Sequence, residues 1–177
     1  MIEIERLYAE DTTEEFLSEL KELLGKTFGI GFSDDDWRHC MGGTHILIRD
    51  SGLLMAHAAV VPRLIYVGES QFRAGYVEAV ATIPSRQHQG LGTMAMIETN
   101  SVIANQFEMG VLSFSSKDFY RKLGWEDWKG PSFVVKDGEW VRSESENNGI
   151  MILRTALSPT LNLGSRIACN QRPGDSW

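Results

Sequence analysis

The sequence predicts an α+β domain. Three observations carry this: short apolar runs alternate with polar residues or flank turn dipeptides, other segments repeat apolar residues at helical spacing after capping residues, and no internal repeat or linker divides the chain. The length of 177 residues fits one domain over 1–177 and buries a sizeable core without a disulfide or metal staple. Hydrophobic residues make up 42% and charged residues 23%, with no disordered or collagen-like bias. A net charge of -7 disfavours nucleic acid and anionic membranes as partners and favours cationic ones. Cys40 and Cys169 form no C-x-x-C pair and the histidines lack ligand spacing, so no metal is expected. An acidic start without an apolar run, and no stretch of spanning length, point to reduced thiols in a cytoplasm.

The elements follow in order. Ile2, Ile4 and Leu7 alternate with charged residues as in a half-buried strand. Thr12 or Thr13 caps a helix with Glu14 and Glu15 in its first turn and Phe16, Leu20, Leu23 and Leu24 on one face. Ser33 or Asp34 caps a short helix; its Asp34, Asp35 and Asp36 form either a solvated helix start or a negative patch for a cationic ligand. His45–Arg49 and Leu53–Val67 flank Asp50-Ser51-Gly52, a hairpin signal, with an edge, bulge or bend expected at Pro62. His57, in an apolar strand, reads as a satisfied core histidine. Tyr76–Ile83 reads as a strand, and after a glycine turn a helix follows with Leu91, Met94, Ala95 and Val102 as its packing stripe. Met109–Ser115 is a short buried strand, and Ser115 or Ser116 caps a helix over Lys117–Leu123. A hairpin turns at Asp137-Gly138, Ile150–Arg154 is a strand, and the remainder is an irregular or β tail.

The glycine turn is an anion cradle: two glycines let main-chain N–H groups approach a ligand closely, at the positive end of the following helix. A Walker loop needs Lys after its last glycine, and Gly92 is followed by Thr93 and Met94. Gly90-Leu91-Gly92-Thr93-Met94-Ala95 fits G-x-G-x-x-[GA], but the residues Pro84 to Gly90 separate it from its strand, against a dinucleotide fold. Gln87-His88-Gln89-Gly90-Leu91-Gly92, preceded by Arg86, fits [QR]-x-x-G-x-[GA]. With the glutamate-bearing strand before it, the helix and strand after it, and Phe119-Tyr120-Arg121-Lys122-Leu123-Gly124-Trp125 beyond, the chain resembles the GNAT superfamily of acetyl-CoA-dependent N-acetyltransferases. Phe32–Trp37, Tyr76-Val77-Glu78-Ala79 and Gly174-Asp175-Ser176-Trp177 extend the likeness to its aminoglycoside 2′-N-acetyltransferases.

The resemblance implies a mixed central sheet flanked by helices, acetyl-CoA as cofactor and an aminoglycoside as partner, with a homodimer left open. It implies that Arg86, Gln87, His88, Gln89, Gly90, Leu91, Gly92 and Thr93 hold the coenzyme A pyrophosphate. The strand at Val80, Ala81 and Thr82 then pairs with the pantetheine arm, Val80 N–H serving the carbonyl. Glu78 is the candidate general base and Tyr120 the candidate general acid. Asp34, Asp35, Asp36, Glu78, Ala79, Ser113, Ser115, Asn148, Asp175 and Trp177 are the candidate substrate contacts, the last two being alternatively a frayed terminus. Asn148 and Asn170-Gln171 stand where such enzymes usually carry an acid and an Asp-Trp pair. The acceptor is therefore either a polycation of the gentamicin or tobramycin type or the less cationic kasugamycin. A GNAT enzyme acting on polyamines or protein amines, and a silent acyl-coenzyme A-binding module, are the alternatives.

Overall fold

The computed structural model describes residues 1–114, 116–158 and 160–177. Its strands are β1 (Ile2–Tyr8), β2 (Thr44–Asp50), β3 (Leu53–Val67), β4 (Ser70–Thr82), β5 (Met109–Ser113), β6 (Glu126–Asp127), β7 (Ser132–Lys136), β8 (Glu139–Arg142), β9 (Ile150–Arg154) and β10 (Ile167–Asn170). Its helices are α1 (Glu14–Phe28), α2 (Asp34–Cys40), α3 (Leu91–Gln106) and α4 (Lys117–Arg121). Contacts group these into two units, Met1–Val61 with Val77–Ser101, and Pro62–Tyr76 with Val102–Trp177.

In the first unit β1 and β3 run antiparallel on either side of β2. The β2–β3 turn has positive φ at Ser51 (53°) and Gly52 (82°), the geometry a two-residue hairpin requires to match strand twist. Thr13 caps α1, its hydroxyl accepting from Phe16 N–H at 3.2 Å. Phe16, Leu20, Leu23 and Leu24 are buried and pack with Leu47, Leu54 and Ala81, each large side chain worth about 1.5–3 kcal/mol on burial. The half-burial expected of β1 is not observed: Ile2 and Ile4 are 37% and 51% exposed, and only Leu7 packs on the α1 cluster. Among the described residues β1 pairs with β2 alone, so it lies at an edge, and the α3 side chains that meet its Ile2-Ile4-Arg6 face are the polar Glu98 and Ser101 bonded to Arg6. Gly43 is required by close approach, since a Cβ there would stand 1.9 Å from the Val60 carbonyl oxygen.

In the second unit β5 runs parallel to β4 over Ala74–Tyr76 and antiparallel to β9, which in turn carries β6. β10 lies between β3, antiparallel, and β7, parallel, and β7 turns back into β8 through Asp137 (φ 51°) and Gly138 (φ 85°). The sheet is thus mixed, and the tail left open by the sequence is a strand with partners on both edges. Ile65, Tyr76, Met109, Val111, Trp128, Ile152 and Trp177 share its core. Strand β3 runs through Pro62 without interruption; what changes there is the partner, β2 up to Val60 and β10 from Ile65. Proline has no N–H to donate, and it falls between the two ladders.

Two expectations about helices are corrected. Met94 is 37% exposed, and the buried positions of α3 are Leu91, Ala95, Met96, Thr99, Val102 and Ile103, one contiguous face that leaves Met94 outside it. Helix α4 ends at Arg121, two residues early, where Leu123 N–H turns back to the Tyr120 carbonyl at 2.9 Å. Ser116 stands at its N-cap without a side-chain capping bond, and Ser115 lies outside the described residues. Among the described residues no helix is long and apolar enough to cross a membrane.

Candidate active site

Strand β4 carries a local distortion at the point where chemistry is expected. Glu78, Ala79 and Val80 are half-buried there, and Ala79 has φ of +49°, a left-handed conformation that costs an L-residue about 1–2 kcal/mol. Such a residue persists only where its surroundings hold it. The Ala79 carbonyl lies 2.9 Å from His57 Nδ1, and His57 Nε2 lies 2.9 Å from His45 Nδ1. Both rings are fully buried, which lowers the His57 pKa to about 3 and that of His45 to about 4. His57 is thus satisfied at both nitrogens, as the sequence suggested.

Beyond Thr82 the chain forms a short 3-10 turn over Pro84–Arg86 and reaches α3 through His88 (φ 61°) and Gly90 (φ 86°). The loop is braced by its own polar side chains. Gln87 donates to the Thr82 carbonyl at 3.2 Å, Gln89 to that of Ser85 at 3.4 Å, and Arg86 Nε to Gln89 at 2.7 Å. Arg86 also forms an ion pair with Asp50 at 3.0 Å. The side chains of Gln87 and Gln89 therefore shape the turn, leaving main-chain groups to meet an anion. Met94 N–H bonds the Gly90 carbonyl at 3.0 Å, so the N–H groups of Leu91, Gly92 and Thr93 precede the first intrahelical bond of a 16-residue helix. The Leu91 side chain is buried and only its backbone is available; a Cβ built on Gly90 meets nothing within 4 Å.

The three aspartates of α2 divide by role. Asp36 closes a capping box: Ser33 N and Oγ both donate to its carboxylate at 2.8 Å, and Asp36 N–H donates to Ser33 Oγ at 3.1 Å. Asp35 pairs with Arg38 at 2.7 Å. Asp34 is exposed and, with Glu14, Lys21, Phe32 and Trp37, lines a cavity of about 620 Å³. At the far end of α2, burial pushes the Cys40 thiol up to about 12, and the carboxylates of Glu78 and Asp36 push the same way. Glu78 thus stands within electrostatic reach of α2.

The second unit holds the remaining candidates. Tyr120 is 7% exposed, packed edge-on against Phe119 and Trp125, and burial raises its phenol to about 12, so it is protonated at neutral pH. Ser113 and Asn148 are exposed, the latter with φ of 62°. Asp175 accepts from Trp177 N–H at 3.1 Å, and Trp177 is 4% exposed within the core, so this segment is packed.

Residues 9–127 match the profile of the acetyltransferase (GNAT) domain. Over 175 residues, 97% of this chain and 90% of the other, the sequence is 33% identical to an aminoglycoside 2′-N-acetyltransferase of Mycolicibacterium fortuitum. This chain belongs to the GNAT family of acetyltransferases.

Solved structures agree on the fold. A GCN5-related N-acetyltransferase from Kribbella flavida matches with a TM-score of 0.60 at 18% identity, covering 73% of this chain, which spans only 34% of that longer one. A GNAT acetyltransferase from Brucella melitensis in complex with acetyl-CoA matches with a TM-score of 0.55 at 16% identity, over 70% of this chain and 83% of that one. The GNAT family uses acetyl-CoA, and the chain is an N-acetyltransferase with the mixed α+β fold of that family.

The sequence did not single out three residues that the GNAT fold brings to these regions. Glu14 reaches the wall of the α1–α2 cavity. Glu146 has its carboxyl pKa raised by burial and by neighbouring Asp175, against hydrogen bonds from Ser145 and Ser113. An acid therefore stands beside Ser113 and Asp175 although position 148 is Asn. His45 holds the ring that holds Ala79. Each is inconspicuous in sequence, a helix-start acid, one of several acids in a polar loop and a strand histidine; only tertiary placement distinguishes them.

Proposed function

We propose that this chain, as a single GNAT domain, acetylates the 2′-amino group of an aminoglycoside with acetyl-CoA as donor. The observation that carries the reading is the 33% identity across 97% of the chain to a protein of that activity. Acetyl-CoA supplies an acetyl thioester open to attack by a neutral amine. The residues present suit it: the α3 N-terminus aims main-chain N–H groups outward, and the loop before it is self-braced by Arg86, Gln87 and Gln89. In this reading Gly90, Leu91, Gly92 and Thr93 hold the pyrophosphate chiefly through main-chain N–H groups, while Val80, Ala81 and Thr82 offer a strand edge to the pantetheine arm.

Glu78 takes the proton that a bound ammonium must lose, directly or through water, and half-burial suits a base held out of bulk solvent. The main-chain N–H of Val80 hydrogen-bonds the acyl oxygen, and Tyr120, protonated at neutral pH, returns a proton to the departing sulfur. In the first unit Asp34 and Glu14 on the cavity wall, and in the second Glu146 beside Asp175, are each acids suited to the ammonium groups of a cationic acceptor. The presence of Glu146 beside Asp175 favours a polycationic acceptor of the gentamicin or tobramycin type; Asn148 and Asn170-Gln171 favour kasugamycin.

Coenzyme A release across gentamicin, tobramycin, kasugamycin and spermidine tests this. Turnover of one or both aminoglycoside types, with acetylation mapped to the 2′-nitrogen, is the expected result. Turnover of spermidine alone, or acetylation at another nitrogen, would overturn it.

A further inference from the structure

His45 and His57 are fully buried, and the steps just described use neither. The antiparallel register sets His45 opposite Ala59 and His57 opposite Leu47, so the two rings are diagonal neighbours on one face. The Ala79 oxygen can only accept, so His57 Nδ1 carries the proton and its Nε2 is a lone pair. That lone pair accepts from His45 Nδ1–H, and His45 Nε2 is left buried without a hydrogen-bond partner among the described residues. Protons are thus ordered from His45 to His57 to Ala79, with both rings neutral and both in the Nδ1–H form.

The carbonyl at the end of this chain belongs to the same peptide as the Val80 N–H. No cis peptide bond is present among the described residues, and in a planar trans peptide the C=O and N–H point in opposite directions. Fixing the Ala79 carbonyl towards His57 therefore fixes the Val80 N–H away from it. Hydrogen bonding to the carbonyl also polarises the peptide and strengthens its N–H as a donor. We propose that His57, oriented by His45, is a positioning residue for acyl transfer, pinning the left-handed Ala79–Val80 peptide so that the Val80 N–H meets the acyl oxygen. The proposal rests on the acetyl-transfer mechanism above, in which that N–H is the donor.

Its test compares His57→Leu, which removes the donor, with His57→Asn, whose side-chain amide places an N–H where Nδ1 stood, using the better aminoglycoside substrate. His57→Leu is expected to lower kcat by about tenfold or more, on the scale of losing part of an acyl-oxygen donor, with the acetyl-CoA dissociation constant within about threefold of wild type. His57→Asn is expected to recover most of the lost kcat. Equal kcat in wild type and a folded His57→Leu protein overturns the proposal, as does a matched fall in the Leu and Asn variants. Long-range 1H–15N imidazole spectra of the wild-type protein need no variant to fold: both buried rings should be neutral Nδ1–H tautomers, and an Nε2–H form of His57 overturns the pinning. Wild-type protein inactive on every aminoglycoside would count against the substrate reading instead, and the tautomer spectrum would still decide the hydrogen-bond chain.

Discussion

Acidification should unfold this protein through two imidazoles. His45 and His57 have their pKa values lowered by burial from 6.5 to about 4 and about 3. In the unfolded chain both return to about 6.5, so between that pH and the folded values the unfolded state binds more protons and is favoured as pH falls. The stability that neutral burial contributes is complete above about pH 6.5, falls on acidification, and stops falling once the folded rings themselves protonate near pH 3–4. From pH 7 to pH 5 each ring costs about 2 kcal/mol, hence about 4 kcal/mol for the pair, a large fraction of the stability of a domain this size. Urea unfolding followed by tryptophan fluorescence at pH 7, 6 and 5 measures the loss. A His45→Asn/His57→Asn protein, which keeps short polar groups but cannot titrate there, should show a drop smaller by about 4 kcal/mol. Equal losses in the two proteins over this range would refute the argument.

Other outcomes follow from placement. Asp36→Ala removes half of the capping box at Ser33 and should cost about 1 kcal/mol of stability by thermal or urea unfolding while leaving KM for the aminoglycoside within about twofold. Asp34→Asn, at an exposed position on the cavity wall, should do the reverse: unchanged melting and a KM raised a few-fold for a polycationic acceptor at low salt. Glu78→Gln and Tyr120→Phe should each lower kcat by about a hundredfold or more without weakening acetyl-CoA binding measured by calorimetry. Gly43→Ala forces a methyl against the Val60 carbonyl at 1.9 Å and should destabilise the β2–β3 pair by about 3 kcal/mol, read from the urea midpoint.

Local signals carried most of the architecture. The α1 stripe at Phe16, Leu20, Leu23 and Leu24, the Thr13 cap and the Asp50-Ser51-Gly52 turn are decided within a few residues, and each stands where the sequence placed it. Where packing over long separations decides, the sequence was less informative. The alternation of β1 reads as half-buried, but its burial depends on whether another element covers it. Ser70, Gln71 and Arg73, around the core-packed Phe72, extend β4 well before Tyr76 because pairing, not propensity, sets the start of that strand. In the site, the glycine turn was legible because glycine is a conformational requirement. The engagement of Gln87 and Gln89 with their own loop was not, since the same residue types suit phosphate contact or self-bracing. The left-handed Ala79 had no sequence signal, because alanine gives no hint that a distant histidine holds its carbonyl.

The position of β10 bears on how the chain reaches its native state. Cys169 pairs across from Ile65, on the order of a hundred residues earlier, and from Val134, so two ladders depend on one late-arriving strand. Until it inserts, β3 beyond Pro62 and the β7–β8 hairpin each present an unsatisfied edge, the kind of surface on which chains pair with one another. The second unit should therefore close slowly, and its vulnerable species is the one in which everything but β10 is in place.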